Sequence, residues 1–320
     1  MKTRVFKDYG LILMLLVISC GEWGWEKVES DYESELNVVG LISTDTSYLS
    51  FVSVHRTLKL DEREHYDVYD TIWFGSGQYD YIVERRMKSA YVVEDAQVTV
   101  YDDENAYALY FVGSKYFRNL EIEGSWETYR NMSSRFLLWD YGGFYFDSTF
   151  QFYPEPQKTY TIEIISSNGE IATGIVTTPP RPNALQDQTP DTVSILSGYK
   201  IAWEADSDHS TIIKAHLTED FSPYWFPRNL YLKPEETSWY SQLDIWDREN
   251  IQNSDFESDS MVIDILSLDP YFDEYIRNAD DEFLSQYMGI GAKNLSINVE
   301  GGIGLITSMS VNRIERVVVK

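Results

Sequence analysis

In the stretch TYTIEIISSNGEIATGIVTT, residues 159–178, apolar and polar side chains alternate on both sides of Asn168 and Gly169. A period of two puts Tyr160, Ile162 and Ile164 on one face of an extended strand. Asn-Gly between two such runs supplies the positive φ angles of a tight hairpin turn. The same alternation returns in ELNVVGLIS (35–43), YLSFVSVHRTL (48–58), AQVTVYDD (96–103) and YALYFVG (107–113). Within AQVTVYD, Ala96, Val98 and Val100 point one way and Gln97, Thr99 and Tyr101 the other. Strands with one apolar and one wet face belong to antiparallel sheets. The chain is therefore expected to be mainly β and to open with an antiparallel β-sandwich, immunoglobulin-like or transthyretin-like, over residues 36–178.

After that hairpin, TTPPRPNALQDQTPDT (177–192) holds four prolines and no apolar period, and reads as a linker over 179–192 or a long crossing loop. Strand patterns resume in VSILSGYKIAWEA (193–205) and TIIKAHLTE (211–219), which opens a second, β-rich domain over 193–320. One helix stands out in it, DPYFDEYIRNADDEFLSQYMG, with the helical span at 270–288. Asp269 suits the N-cap, Pro270 the first helical position and Gly289 the end. Phe272, Tyr275, Ile276, Ala279, Phe283 and Tyr287 form one stripe that needs a sheet to cover it. Strands return in NLSINVE, GIGLITSMS and RIERVVVK.

The 320 residues contain one cysteine, Cys20, so no internal disulfide exists. Ahead of it, Lys2, Arg4 and Lys7 form a positive start and residues 11–18 an apolar run. Eight residues are too few to cross a bilayer, which takes about 20, but they suit a cleaved signal peptide over 1–19. Ser19 directly before Cys20, with Val17 and Ile18 upstream, resembles the bacterial lipobox, in which the cysteine is diacylated and becomes the first mature residue. Its acyl chains would bury dozens of methylenes at about 0.8 kcal/mol each. The alternative is an ordinary signal with a chance cysteine. Residues 20–35, rich in glutamate, then read as an acidic tether. They partly resemble the surface-export signal of Bacteroidetes lipoproteins, with Glu22 close to the cysteine and Trp23 interrupting the acidic run.

The formal net charge is −26. Lys2, Arg4, Lys7 and Asp8 leave with the signal and take +2 with them, so the mature chain is more acidic still. Such a surface repels phosphate backbones and anionic headgroups, which excludes nucleic acid and leaves membrane contact to the lipid. At 43% hydrophobic residues the chain nevertheless has enough apolar side chains for a packed core.

Several of these runs together resemble a Bacteroidetes outer-membrane lipoprotein family catalogued as domain of unknown function 4249. The carriers are LNVVGLISTDTSYLSFVSVHRT, VVEDAQVTVYDDENAYALY with its A-x-V-x-V element, PQKTYTIEIISSNGEIATGIVTTPPRP, DPYFDEYIRN and NLSINVEGGIGLITSMSV. Where that family often has Phe-Gly after GIG, this chain has Leu305, Ile306 and Thr307, and the central part of its second half matches poorly. The resemblance implies a two-part β lipoprotein of the outer membrane, associated with TonB-dependent receptors and accessory to nutrient uptake.

No catalytic motif emerges. FGSGQ (74–78) lacks the outer glycine of a nucleophile elbow, and His55, His65, His209 and His216 fit no metal-protease spacing and read as surface or loop residues. His209 and His216 with Asp206 and Asp208 are too far apart in sequence for a zinc site. EADSDHS (204–210) and SDFESDS (254–260) place oxygen ligands as calcium likes them, without the glycine or closing glutamate of an EF-hand; solvated acidic turns are the alternative. Gly301, Gly302 and Gly304 look like a bulge or a close backbone approach, not a phosphate loop. No cofactor is expected. Aromatic side chains are the most suggestive signal: residues 225–246 gather Trp225, Trp239, Tyr240 and Trp246, which can stack on a sugar or apolar ligand or simply fill a core. The expected function is a lipid-anchored, non-enzymatic binding or docking module with a glycan or peptide ligand. The alternatives are an extracellular glycan-active enzyme and a structural or adhesive surface protein.

Overall fold

The computed structural model describes residues 33–58, 62–63, 65–73, 81–113, 143–188, 190–194, 196–204, 208–217, 230–241, 249, 252, 258–278 and 298–320. The fold is mainly β with a helix near its C-terminal end. The first half carries β1 (Leu36–Ser43), β2 (Phe51–Arg56), β3 (His65–Trp73), β4 (Tyr81–Ser89), β5 (Gln97–Tyr101), β6 (Ala106–Gly113), β7 (Gly143–Phe146), β8 (Thr159–Ile165) and β9 (Ile171–Thr177). The second carries β10 (Thr192–Ser194), β11 (Tyr199–Ala202), β12 (Thr211–Leu217), β13 (Leu230–Leu232), β14 (Ser238–Ser241), β15 (Ser258–Leu268), α1 (Pro270–Asn278), β16 (Val299–Glu300) and β17 (Ile303–Val319).

Thirteen of these strands form one curled sheet in the order β13-β12-β15-β17-β1-β2-β7-β6-β5-β8-β9-β16, with β10 added to β17. The sheet turns a corner in β6, whose first half pairs with β5 and whose second half pairs with β7. It turns another between β16, which pairs with β9, and β17, which pairs with β1. Two layers thereby face each other. Their shared core holds Val38 and Ile42 of β1, Val52 and Val54 of β2, Val98 and Val100 of β5, Tyr160, Ile162 and Ile164 of β8, and Ile306 of β17. The alternating apolar positions of the sequence are the ones that meet here, as burial of one pleat face requires.

The β8–β9 hairpin runs in register from Thr159↔Thr177 to Ile165↔Ile171. Its turn differs from the sequence expectation of two positive φ angles: only Gly169 has one, at 88°, and Gly169 N–H donates to Ser166 O at 3.0 Å. That is a longer loop closing with a left-handed glycine rather than a two-residue turn. The close approach expected of the late glycines is present. Gly304 has φ 144°, and a Cβ there would run into the carbonyl of Val38 on the neighbouring strand.

β17 joins the halves. Its residues 303–309 pair parallel with β1, its residues 309–319 antiparallel with β15, and residues 317–319 parallel with β10. The Pro-rich segment lies along it. Ser310 Oγ donates to the Pro179 carbonyl and Asn312 Nδ2 to the Pro182 carbonyl at 2.7 Å. Those donors satisfy carbonyls in a stretch that has few N–H groups of its own to offer a ladder.

α1 starts as its sequence requires. Asp269 Oδ1 accepts the N–H of Tyr271 at 2.7 Å and of Phe272 at 2.8 Å, and Pro270 follows the cap. Phe272 and Tyr275 are buried against Leu41, Phe51, Phe144 and Met309, on the side of the sheet opposite the first core. The expected continuation of the helix to 288 lies outside the described residues. A separate cluster, the second core, fills the second half, where the two-stranded ribbon β11–β14 lays Tyr199 and Ile201 on Met261, Ile263, Ile265, Ile314 and Val318.

Candidate functional site

The ribbon β11–β14 carries the only two proposed stacking residues that are described, and strand geometry separates them. Trp239 pairs across the ribbon with Ile201 and faces inward, edge-on to Tyr199 at 6.0 Å and 90°. It packs against the second core. Tyr240, one residue on, faces solvent with 56% exposure, and its hydroxyl donates to Ser197 O at 2.9 Å. Adjacent residues of a strand point to opposite sides, so these two rings do not share a platform. Trp225 and Trp246 lie outside the described residues, as does Cys20. Half of the residues of the two acidic calcium-like stretches lie there too. Among the described residues, no group of three metal-ligating side chains converges.

On the face of the sheet away from the ribbon lie charges that sequence reasoning overlooked. Lys214 of β12, Asp264 of β15 and Arg313 of β17 are cross-strand neighbours in a single row. Arg313 forks onto the carboxylate, Nε to Oδ1 at 2.7 Å and Nη2 to Oδ2 at 3.1 Å. Tyr48 Oη donates to Oδ2 at 2.6 Å, and Lys214 Nζ lies 5.2 Å from the Tyr48 ring centre. Asp264 is 1% exposed. Two-point pairing plus a phenol hydrogen bond is the satisfaction that a buried carboxylate needs. The row holds charge in place.

Asp269 is another buried carboxylate. Oδ1 caps α1, while Oδ2 accepts the N–H of Ser308 and the Asp269 N–H donates to Ser308 O at 3.1 Å. One side chain thus ties the helix start to the middle of β17. Burial pushes its carboxyl up to about 6, against the pull of the N–H donors of Phe272, Ser308 and Tyr271.

His55 corrects the expectation of surface and loop histidines. It sits in β2 and is buried, 3.1 Å from Ser53 Oγ through Nε2, with Tyr91 edge-on at 5.5 Å. Ser53 Oγ also lies 3.4 Å from Gly143 O. A serine and a histidine two residues apart on one strand face are side-by-side neighbours. With these contacts the pair reads as a satisfied polar contact.

Arg316 of β17 is a further buried charge. Strand alternation puts it on the same face as Ile314 and Val318, inside the second core, opposite Met261. RIERVVVK carries the signal that could have found it, since Ile314, Arg316 and Val318 occupy every second position. Likewise Asp264 shares its face with Val262 and Leu266 in the same alternation.

No protein-family model matches the chain, and no curated protein matches it.

Proposed function

We propose that the chain is a lipid-anchored outer-membrane protein, a non-enzymatic binding or docking module accessory to TonB-dependent uptake, of the lipoprotein family that its sequence resembles. Cys20 carries this proposal: it is the only thiol of the chain, and it directly follows a short apolar run with a positive start. A sheet-built body suits it. β1 begins at Leu36, just beyond the acidic tether, and is hydrogen-bonded on both edges, to β17 and to β2. A pull through the tether would therefore load a strand held from both sides. No helix among the described residues is long and apolar enough to cross a membrane, and in this scheme none is needed.

Two experiments test the two halves of the proposal. Cells fed labelled palmitate should label the wild-type protein and not Cys20→Ala, which should retain an unprocessed signal; equal labelling removes the anchor. Affinity capture from detergent-solubilised membranes should recover a TonB-dependent receptor, and repeated recovery of none removes the docking role.

A further inference from the structure

We propose that Arg316 anchors a carboxylate-binding site at the end of the second core, for a small organic acid with an apolar body. Arg316 is 8% exposed. Its Nη1 donates to Glu315 O at 2.8 Å, but Nε and Nη2, both buried, meet no acceptor among the described residues. A guanidinium cannot shed its charge, so burial without an acceptor is among the most destabilising arrangements a core can contain. Buried polar groups in folded proteins are satisfied, and one that is not points to a bound group.

The same chain shows what that edge of a guanidinium takes. Arg313, three residues earlier, presents Nε and Nη2 to the two oxygens of Asp264 at 2.7 and 3.1 Å. In Arg316 the equivalent pair of N–H groups is turned into the core instead of along the sheet row. Two parallel donors in a plane match a planar carboxylate. The neighbours on that face, Ile314, Val318 and Met261, are apolar, which favours a monoanion with a hydrocarbon part over a multiply charged phosphate. The acidic balance of the chain points the same way. Access comes from the end of the sheet. Arg316 is three residues before Val319, the last residue of β17, and its partner Met261 is three after Ser258, the first of β15.

This deepens the binding-module proposal by giving the ligand a chemical class, and it rests on that proposal only for its biological use. Full-length protein in detergent is titrated with formate, butyrate, benzoate and the neutral isostere benzamide, followed by calorimetry and melting temperature. Wild type should bind butyrate or benzoate saturably with a raised melting temperature, and should ignore benzamide. Arg316→Lys keeps the charge without the fork and should bind about tenfold more weakly or worse; Arg316→Met should not respond. Equal responses to benzoate and benzamide overturn the site, as does an Arg316→Met protein that responds like wild type. Silence towards all three acids overturns it too: with Arg316→Met less stable than wild type, a carboxylate of this chain holds the arginine; with Arg316→Met equally or more stable, the charge is idle. Palmitate labelling of Cys20 and receptor capture are unaffected by these variants, so failure here is separable from failure of the anchor or the docking role.

Discussion

Asp264 and Asp269 are buried carboxylates five residues apart, and different groups hold them. Asp264 is held by the Arg313 fork and the Tyr48 hydroxyl. Asp264→Ala leaves Arg313 without its partner inside the row and should lower stability by about 3–5 kcal/mol in urea unfolding. A loss below about 1 kcal/mol would show that the row is no more than a surface pair. Asp269, by contrast, has N–H donors but no cation on it, and burial raises its carboxyl from 3.8 to about 6. Between those values the folded chain keeps a proton that the unfolded chain has released. This group's stabilisation is therefore complete below pH 3.8 and is lost as pH rises through about 6, by roughly 3 kcal/mol. Asp269→Asn cannot titrate, though its amide would set an N–H against that of Ser308. The difference in stability between wild type and Asp269→Asn should shrink as pH rises from about 4 to about 6; a difference independent of pH would rule out a titrating Asp269.

At the scale of elements, what could be read in advance was what depends on neighbours in sequence. The β8–β9 hairpin and the Asp269 cap need residues only a few positions apart, and both stand where alternation and capping chemistry put them. The parallel pairing of β1 with β17 joins Val38 to Gly304, and no local pattern announces a partner so distant. The buried polar residues were hidden for the same reason: a lone arginine or histidine in a strand reads as solvent-facing until the layer covering it is known. Two glycines make a matched test of the closure. Gly169→Ala meets nothing within 4 Å and carries only the strain of a positive φ, about 1–2 kcal/mol. Gly304→Ala adds a collision with the Val38 carbonyl to similar strain. Thermal melts should show a small shift for the first and a much larger one for the second, with amide-exchange protection lost along β1. Equal shifts would mean that β1 and β17 do not approach as closely as the structure has them.

For the whole molecule, the mainly β character with a helix in the second half followed from periodicity, and so did the two layers of the first half. The continuity of the sheet across both halves did not, because it runs through one 17-residue strand whose two ends serve different cores. The sequence offered an aromatic-rich stretch as its candidate site; alternation turns Trp239 inward and Tyr240 outward, and the charges on the far face of the sheet were missed.

A ribosome delivers β1 long before β17. Until residues 303–309 emerge, β1 has β2 on one edge and nothing on the other, and the two layers of the first half lack their seam at Ile306. Closure of both cores therefore waits on the arrival of one and the same strand.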